Sequence, residues 1–104
     1  MTLPVLTSGQ RAVGLKKAAD ARRARAALRH QLTSGTITVE DVFAAAAGGD
    51  RAAARISVRQ MLTALPGIGQ ARAAKLMDGV GIAANRRVGG LGARQQRSLL
   101  SRLN

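Results

Sequence analysis

Cysteine, tryptophan and tyrosine are absent, and Phe43 is the single aromatic residue in 104. Without thiols there is no disulfide, no thiolate metal site and no cysteine nucleophile. One histidine, His30, and five carboxylates are too few and too scattered to assemble a catalytic constellation of titratable groups. The sequence therefore argues against an enzyme, and no catalytic residue, metal ligand or cofactor is expected. The shortage of aromatic faces also argues against single-stranded nucleic acid, whose bases are usually stacked on Phe, Tyr or Trp. The start, Met1-Thr2-Leu3-Pro4-Val5-Leu6, has no basic n-region and no apolar run of signal-peptide length. The alanine tract at 44–47 stops at Gly48-Gly49, far short of a bilayer span. A cytoplasmic protein with no membrane partner is expected.

Positive charge is what the chain has in excess. Lys and Arg number 17 against 5 Asp and Glu, for a formal net charge of +12. Of the 17, 14 are Arg, whose planar five-donor fork suits phosphates and groove edges. GC-rich codons account for Arg in place of Lys, but not for twelve unbalanced charges. A polyanionic partner follows, and the lack of stacking residues favours duplex over single strand. The 21 alanines leave 27 Val, Ile, Leu, Met and Phe for the interior, enough for one modest core.

Along the chain, a long helix is predicted from about Ser8 to Leu32, ended by Ser34-Gly35. Ala21, Ala24, Leu28 and Leu32 share one side of it. Arg11, Arg22, Arg25 and Arg29 form a narrow stripe about a third of a turn away, and Lys16 and Arg23 a second stripe. Seven basic residues face one acid, Asp20, so the stripe repels itself unless an anion neutralises it. A solvated charged face is the plain alternative. Thr38-Val39-Glu40-Asp41 reads as a helix start with acids in the first turn, and Gly48-Gly49-Asp50 as its close. Residues 51–55 read either as a loop or as the approach to the next helix. Ser57-Val58-Arg59-Gln60 has the spacing of a capping box, and Val58, Met61, Leu62 and Leu65 give a buried face.

The informative stretch is Leu65-Pro66-Gly67-Ile68-Gly69-Gln70, leading into a helix that carries Arg72 and Lys75. Glycine is needed where φ must be positive or the backbone must approach another molecule. Ile68 would plug the core beneath the turn, and the amides opening the helix would face a phosphate oxygen. A second glycine-rich turn, Arg86-Arg87-Val88-Gly89-Gly90-Leu91-Gly92, leads into a last helix from about Ala93 to Leu103, with Arg94, Arg97 and Arg102 as its charges. Residues 51–104 hold ten basic residues and one acid, Asp78. Each glycine turn alone is often only a connector. Helix, Pro-Gly-apolar-Gly and a basic helix together point to a DNA-binding hairpin, and the two turns to a helix-two-turn-helix module.

These motifs resemble the actinobacterial, or mycobacterial-type, integration host factors. The likeness covers Leu3-Pro4, Leu6-Thr7 and Gln10-Arg11-Ala12, then Lys17-Ala18-Ala19 and Ala21-Arg22-Arg23-Ala24-Arg25-Ala26, the hairpin at Ala64-Leu65-Pro66-Gly67-Ile68-Gly69, and the second turn at 86–92. The resemblance implies an all-α monomer with a long basic helix and a helix-two-turn-helix body of about four shorter helices. Residues 1–35 would form the extended start and long helix, and 36–104 the body, as one structural unit. It implies binding and bending of double-stranded DNA with little sequence preference, nucleoid organisation, and a phage integrase or recombination complex as a further partner. On the motif positions, contacts are expected from Gly67, Ile68, Gly69, Gln70, Arg72 and Lys75 of the hairpin. Arg86, Arg87, Gly90, Gly92, Arg94 and Arg97 would supply the second turn, and Arg22, Arg25 and Arg29 a backbone clamp. The chain departs from the family's Arg-Arg-x-Arg-Gly-Leu-Gly run by Gly89 at the third basic position, and from its acidic, lysine-rich middle by Ala44–Ala47 and Gly48-Gly49. An RNA-binding module like a small-subunit ribosomal protein is the alternative, though that protein usually carries a long basic tail and this chain stops at Leu103-Asn104. A DNA-glycosylase remnant, lacking the N-terminal Pro nucleophile, and a membrane-active helix fit less well.

Overall fold

Good helix formers dominate the first third of the chain. In the computed structural model, which describes residues 8–103, they form one helix, α1, from Ser8 to Ser34. The expected extended start at 1–6 and the Leu3-Pro4 and Leu6-Thr7 motifs lie outside the described residues. Five shorter helices follow: α2 (Val39–Ala47), α3 (Arg51–Arg55), α4 (Val58–Ala64), α5 (Gln70–Val80) and α6 (Ala93–Leu103). A 3-10 turn, Val88–Gly90, lies between α5 and α6. Among the described residues there is no strand, only an isolated antiparallel bridge between Ser57 and Arg87. The architecture is all-α, as the sequence leads one to expect.

The short helix beyond the expected four is α3, the stretch left open at 51–55. Asp50 both closes α2 and opens α3: behind Gly49 at φ +95° its amide donates to Ala45 O at 2.9 Å, and its carboxylate accepts from the Ala53 amide at 3.2 Å. At α2 the cap is reciprocal. The Asp41 amide donates to the Thr38 hydroxyl at 3.2 Å, and the Thr38 amide donates to Asp41 at 2.8 Å. At α4 the box is half made. Ser57 accepts from the Gln60 amide at 3.0 Å, while the Gln60 side chain turns instead toward α1.

Leu32, Val42, Phe43, Ile56, Met61, Leu62, Met77, Val88 and Leu99 are buried together, drawing every element onto one core. Among the described residues no polar or charged side chain is buried with them. Only the C-terminal half of α1 joins this packing, through half-buried Leu28 and buried Leu32. The Thr33 hydroxyl fastens it by donating to the Ala64 carbonyl at 2.6 Å. Residues 11–18 are all exposed, so α1 runs out past the body with Val13 and Leu15 in solvent.

Candidate nucleic-acid interface

The first glycine turn joins α4 to α5. Gly67 has φ +80°, a region closed to most side chains, and the turn tightens with the Ile68 amide donating to Leu65 O at 3.3 Å. Of the two reasons for glycine, positive φ does not apply at Gly69. Its φ is −89°, ordinary extended backbone, and it stands as the N-cap of α5 with no side-chain cap. The first bond of α5 runs from the Ala73 amide to Gly69 O. The amides of Gln70, Ala71 and Arg72 therefore have no intrahelical acceptor, and all three residues are exposed. Arg72 and Lys75 project from the same helix into solvent. Ile68 is buried, so its side chain serves the core, and only its backbone remains for a ligand.

The second turn is anchored far more heavily. Val88 is buried, the Val58 amide donates to Arg86 O at 3.0 Å, and the Val88 amide donates to Ile56 O at 2.9 Å. These bonds staple the turn to the junction of α3 and α4. Arg86 donates to Gly90 O at 3.3 Å, its stem lying over Gly90, and Arg87 donates to Arg55 O at the end of α3. Both arginines are exposed but folded back, each spending one of five donors on the backbone. Gly89 packs on α3: a Cβ there would lie 3.0 Å from Ala54 O and 3.1 Å from Ala54 Cβ. The position that lacks its basic residue is thus closely packed on α3 in this chain, with little room for a side chain. The Gly92 amide donates to Gln95 Oε1 at 3.1 Å, and Gln95 Nε2 donates to Gly81 O at 3.4 Å, which ties the end of α5 to the start of α6.

Arg94 and Arg97 are exposed on α6. Arg102, by contrast, caps α5 by donating to Gly79 O at 3.0 Å. On α1, Arg22, Arg25 and Arg29 do converge, lining one recess with Gln60 of α4. Arg23 of the second stripe pairs with Asp20 at 3.6 Å. The two glycine turns sit at opposite ends of α4, whose seven residues rise about 10 Å. Sequence reasoning missed Arg51 and Arg55, which the short α3 sets against Lys17 and Arg25 of α1. The N-cap signal of Asp50 followed by helix-forming alanines could have found them.

Among the described residues no cluster of metal-ligating side chains occurs, and no helix is long and apolar enough to cross a membrane. Residues 32–103 match the family described as S13-like H2TH domain. The chain is 41% identical over 104 residues to the integration host factor of Mycolicibacterium smegmatis, covering 100% of this chain and 98% of that protein. It is 42% identical to that of Mycobacterium tuberculosis, over 98% of this chain and 96% of that protein. For Streptomyces coelicolor the identity is 40%, over 95% and 92%. A solved structure described as sIHF bound to an 8bp palindromic DNA superposes with a TM-score of 0.80 at 35% identity, covering 86% of this chain and 99% of that one. A match over the whole chain in sequence and over 86% of it in backbone leaves one assignment: the chain belongs to the mycobacterial-type integration host factor family, built on the S13-like H2TH domain.

Proposed function

We propose that this protein is a DNA-binding architectural factor, not an enzyme, which bends or compacts duplex DNA with little sequence preference in the nucleoid. The observation that carries this reading is the likeness of its backbone to a relative solved on an 8bp palindromic DNA. The geometry supplies the chemistry. Unpaired amides at Gln70–Arg72 receive a phosphate oxygen beside Gly67 and Gly69, with Arg72 and Lys75 adding charge. Arg86 and Arg87, held beside Gly90 and Gly92, follow a minor groove, where narrow A·T-rich segments attract guanidinium. Arg94 and Arg97 of α6 meet flanking phosphates, and the Arg22, Arg25 and Arg29 recess clamps the backbone. On this reading the arm through residue 35 and the body from 36 act as one structural unit, a monomer that a phage integrase or recombination complex would meet on DNA.

Duplex DNA, structured RNA and anionic vesicles compared at one salt concentration test the reading, since the S13-like fold makes RNA the natural competitor. Duplex should bind best. With roughly five to eight phosphates neutralised, affinity should fall about a thousandfold between 50 and 200 mM salt. A shallow salt slope, preference for RNA, or one site favoured by many orders of magnitude over random duplex would overturn it.

A further inference from the structure

Arg51 and Arg55 of α3 and Lys17 and Arg25 of α1 rim an open cleft between the two helices. Its floor is alanine, Ala21 and Ala24 from one side and Ala52 from the other. The only carboxylate in its lining is Asp20, which already faces Arg23 at 3.6 Å. Among the described residues, none of the four cations has an ion-pair partner. Arg51 and Arg55 lie one helical turn apart, a like-charge spacing that destabilises a helix unless an anion comes between.

The cleft also adjoins the second glycine turn. Gly89 packs against Ala54 of α3, and the guanidinium of Arg87 is bonded to the Arg55 carbonyl. A strand followed by Arg86 and Arg87 would therefore be brought to the mouth of the cleft. Small apolar side chains between two rows of cations match a sugar–phosphate backbone, which alternates apolar deoxyribose with anionic phosphate.

We infer that the cleft between α1 and α3 is a further phosphodiester-binding site, in which Arg51 and Arg55, facing Lys17 and Arg25, hold backbone phosphates of the duplex engaged by the second turn. The site extends the DNA-binding reading and rests on it. Arg51 and Arg55 act through side chains that carry no structural hydrogen bond among the described residues; it is the Arg55 carbonyl that holds Arg87.

The test pairs two measurements on the full chain with a random-sequence duplex of roughly 20 base pairs. Arg51→Gln with Arg55→Gln should lower the salt slope by about two units and weaken binding about tenfold or more at low salt. In the unsubstituted protein, the methyl NMR signals of Ala21, Ala24 and Ala52 should shift on titration with the duplex. Should the double variant fail to fold, the methyl shifts alone decide. An unchanged slope, or methyls that stay in place while Arg86→Ala with Arg87→Ala still weakens binding, overturns the cleft and leaves the wider reading standing. A parent protein that does not bind duplex at all overturns both.

Discussion

The hairpin at Leu65–Gln70 and the turn at Arg86–Gly92 look alike as sequence, each apolar, glycine-rich and opening a basic helix. Their physics differ. Around Gly67 and Gly69 an added Cβ would meet nothing within 4 Å, and the helix start beyond is uncapped by any side chain. Around Gly89 and Gly90 a Cβ would meet Ala54 at 3.0 Å and the Arg86 stem at 3.1 Å. The hairpin is an open surface whose glycines answer to backbone conformation or to something outside the molecule. The second turn is an internal joint whose glycines answer to α3 and to its own arginines. Glycine content alone does not separate a surface built for a ligand from one built for packing.

The comparison breaks most sharply at Gly89. Gly89→Ala should cost roughly 1–3 kcal/mol of stability, because the new methyl crowds Ala54 and α3 must give way by a few tenths of an ångström to hold it. Ala54→Gly removes the Cβ contact and leaves the one with the carbonyl oxygen; since a glycine in α3 itself costs about 1 kcal/mol, the relief should show as a pair that loses less than the sum of its two single changes. Thermal melts of the parent, both single variants and the pair measure this; a Gly89→Ala protein melting with the parent means the joint is loose. Next in size is Arg86→Ala with Arg87→Ala, which should cost roughly 1–3 kcal/mol in duplex affinity and reduce any A·T preference or bending. Arg22, Arg25 and Arg29 changed to Ala should instead weaken all duplexes evenly and flatten the salt slope by about one unit per lost contact. If the Arg86/Arg87 variant bends DNA and prefers A·T duplexes as the parent does, the groove role is wrong.

Much of this fold is written in local signals. The last helix runs from Ala93 to Leu103 as its periodicity predicts, and the Ser57 cap and the buried Val58, Met61 and Leu62 face are legible without a partner in space. Asp50 shows the limit: its amide closes α2 and its carboxylate opens α3, but that the five residues beyond it hold as a helix rests on α1 and the second turn, against which α3 packs. The folded-back arginines were illegible for the same reason, since the acceptor of Arg87 is a carbonyl 32 residues away. Gly89 reads in sequence as a lost contact because its neighbour, Ala54, is brought there only by tertiary structure.

Within the hairpin the two glycines should separate. Gly67 holds φ +80°, so Gly67→Ala should cost about 1–2 kcal/mol from the left-handed backbone alone. Its DNA binding then falls for a mixed reason, part strain and part a displaced turn. Melting temperature and affinity measured together should move together, and a Gly67→Ala protein as stable as the parent would show that the turn tolerates another backbone path.

Gly69→Ala carries the smallest effect on the free protein and the most information about the bound one. At φ −89° alanine is unstrained, and its methyl would enter open space. Alanine is a poorer N-cap than glycine, so a stability loss of under about 1 kcal/mol is expected. The same methyl would stand beside the amides of Gln70, Ala71 and Arg72, where the proposed phosphate sits, and should push it away from donors that must lie within about 3 Å. Duplex affinity should therefore fall several-fold while melting barely changes. Gly69→Ser sharpens the point, because a serine hydroxyl can cap α5 and stabilise the free protein while occupying the same donors. A Ser variant that melts higher yet binds more weakly separates the two roles of one helix start. If both variants bind as the parent does, the hairpin is a connector, and the second turn with the arginines around it carries the duplex alone.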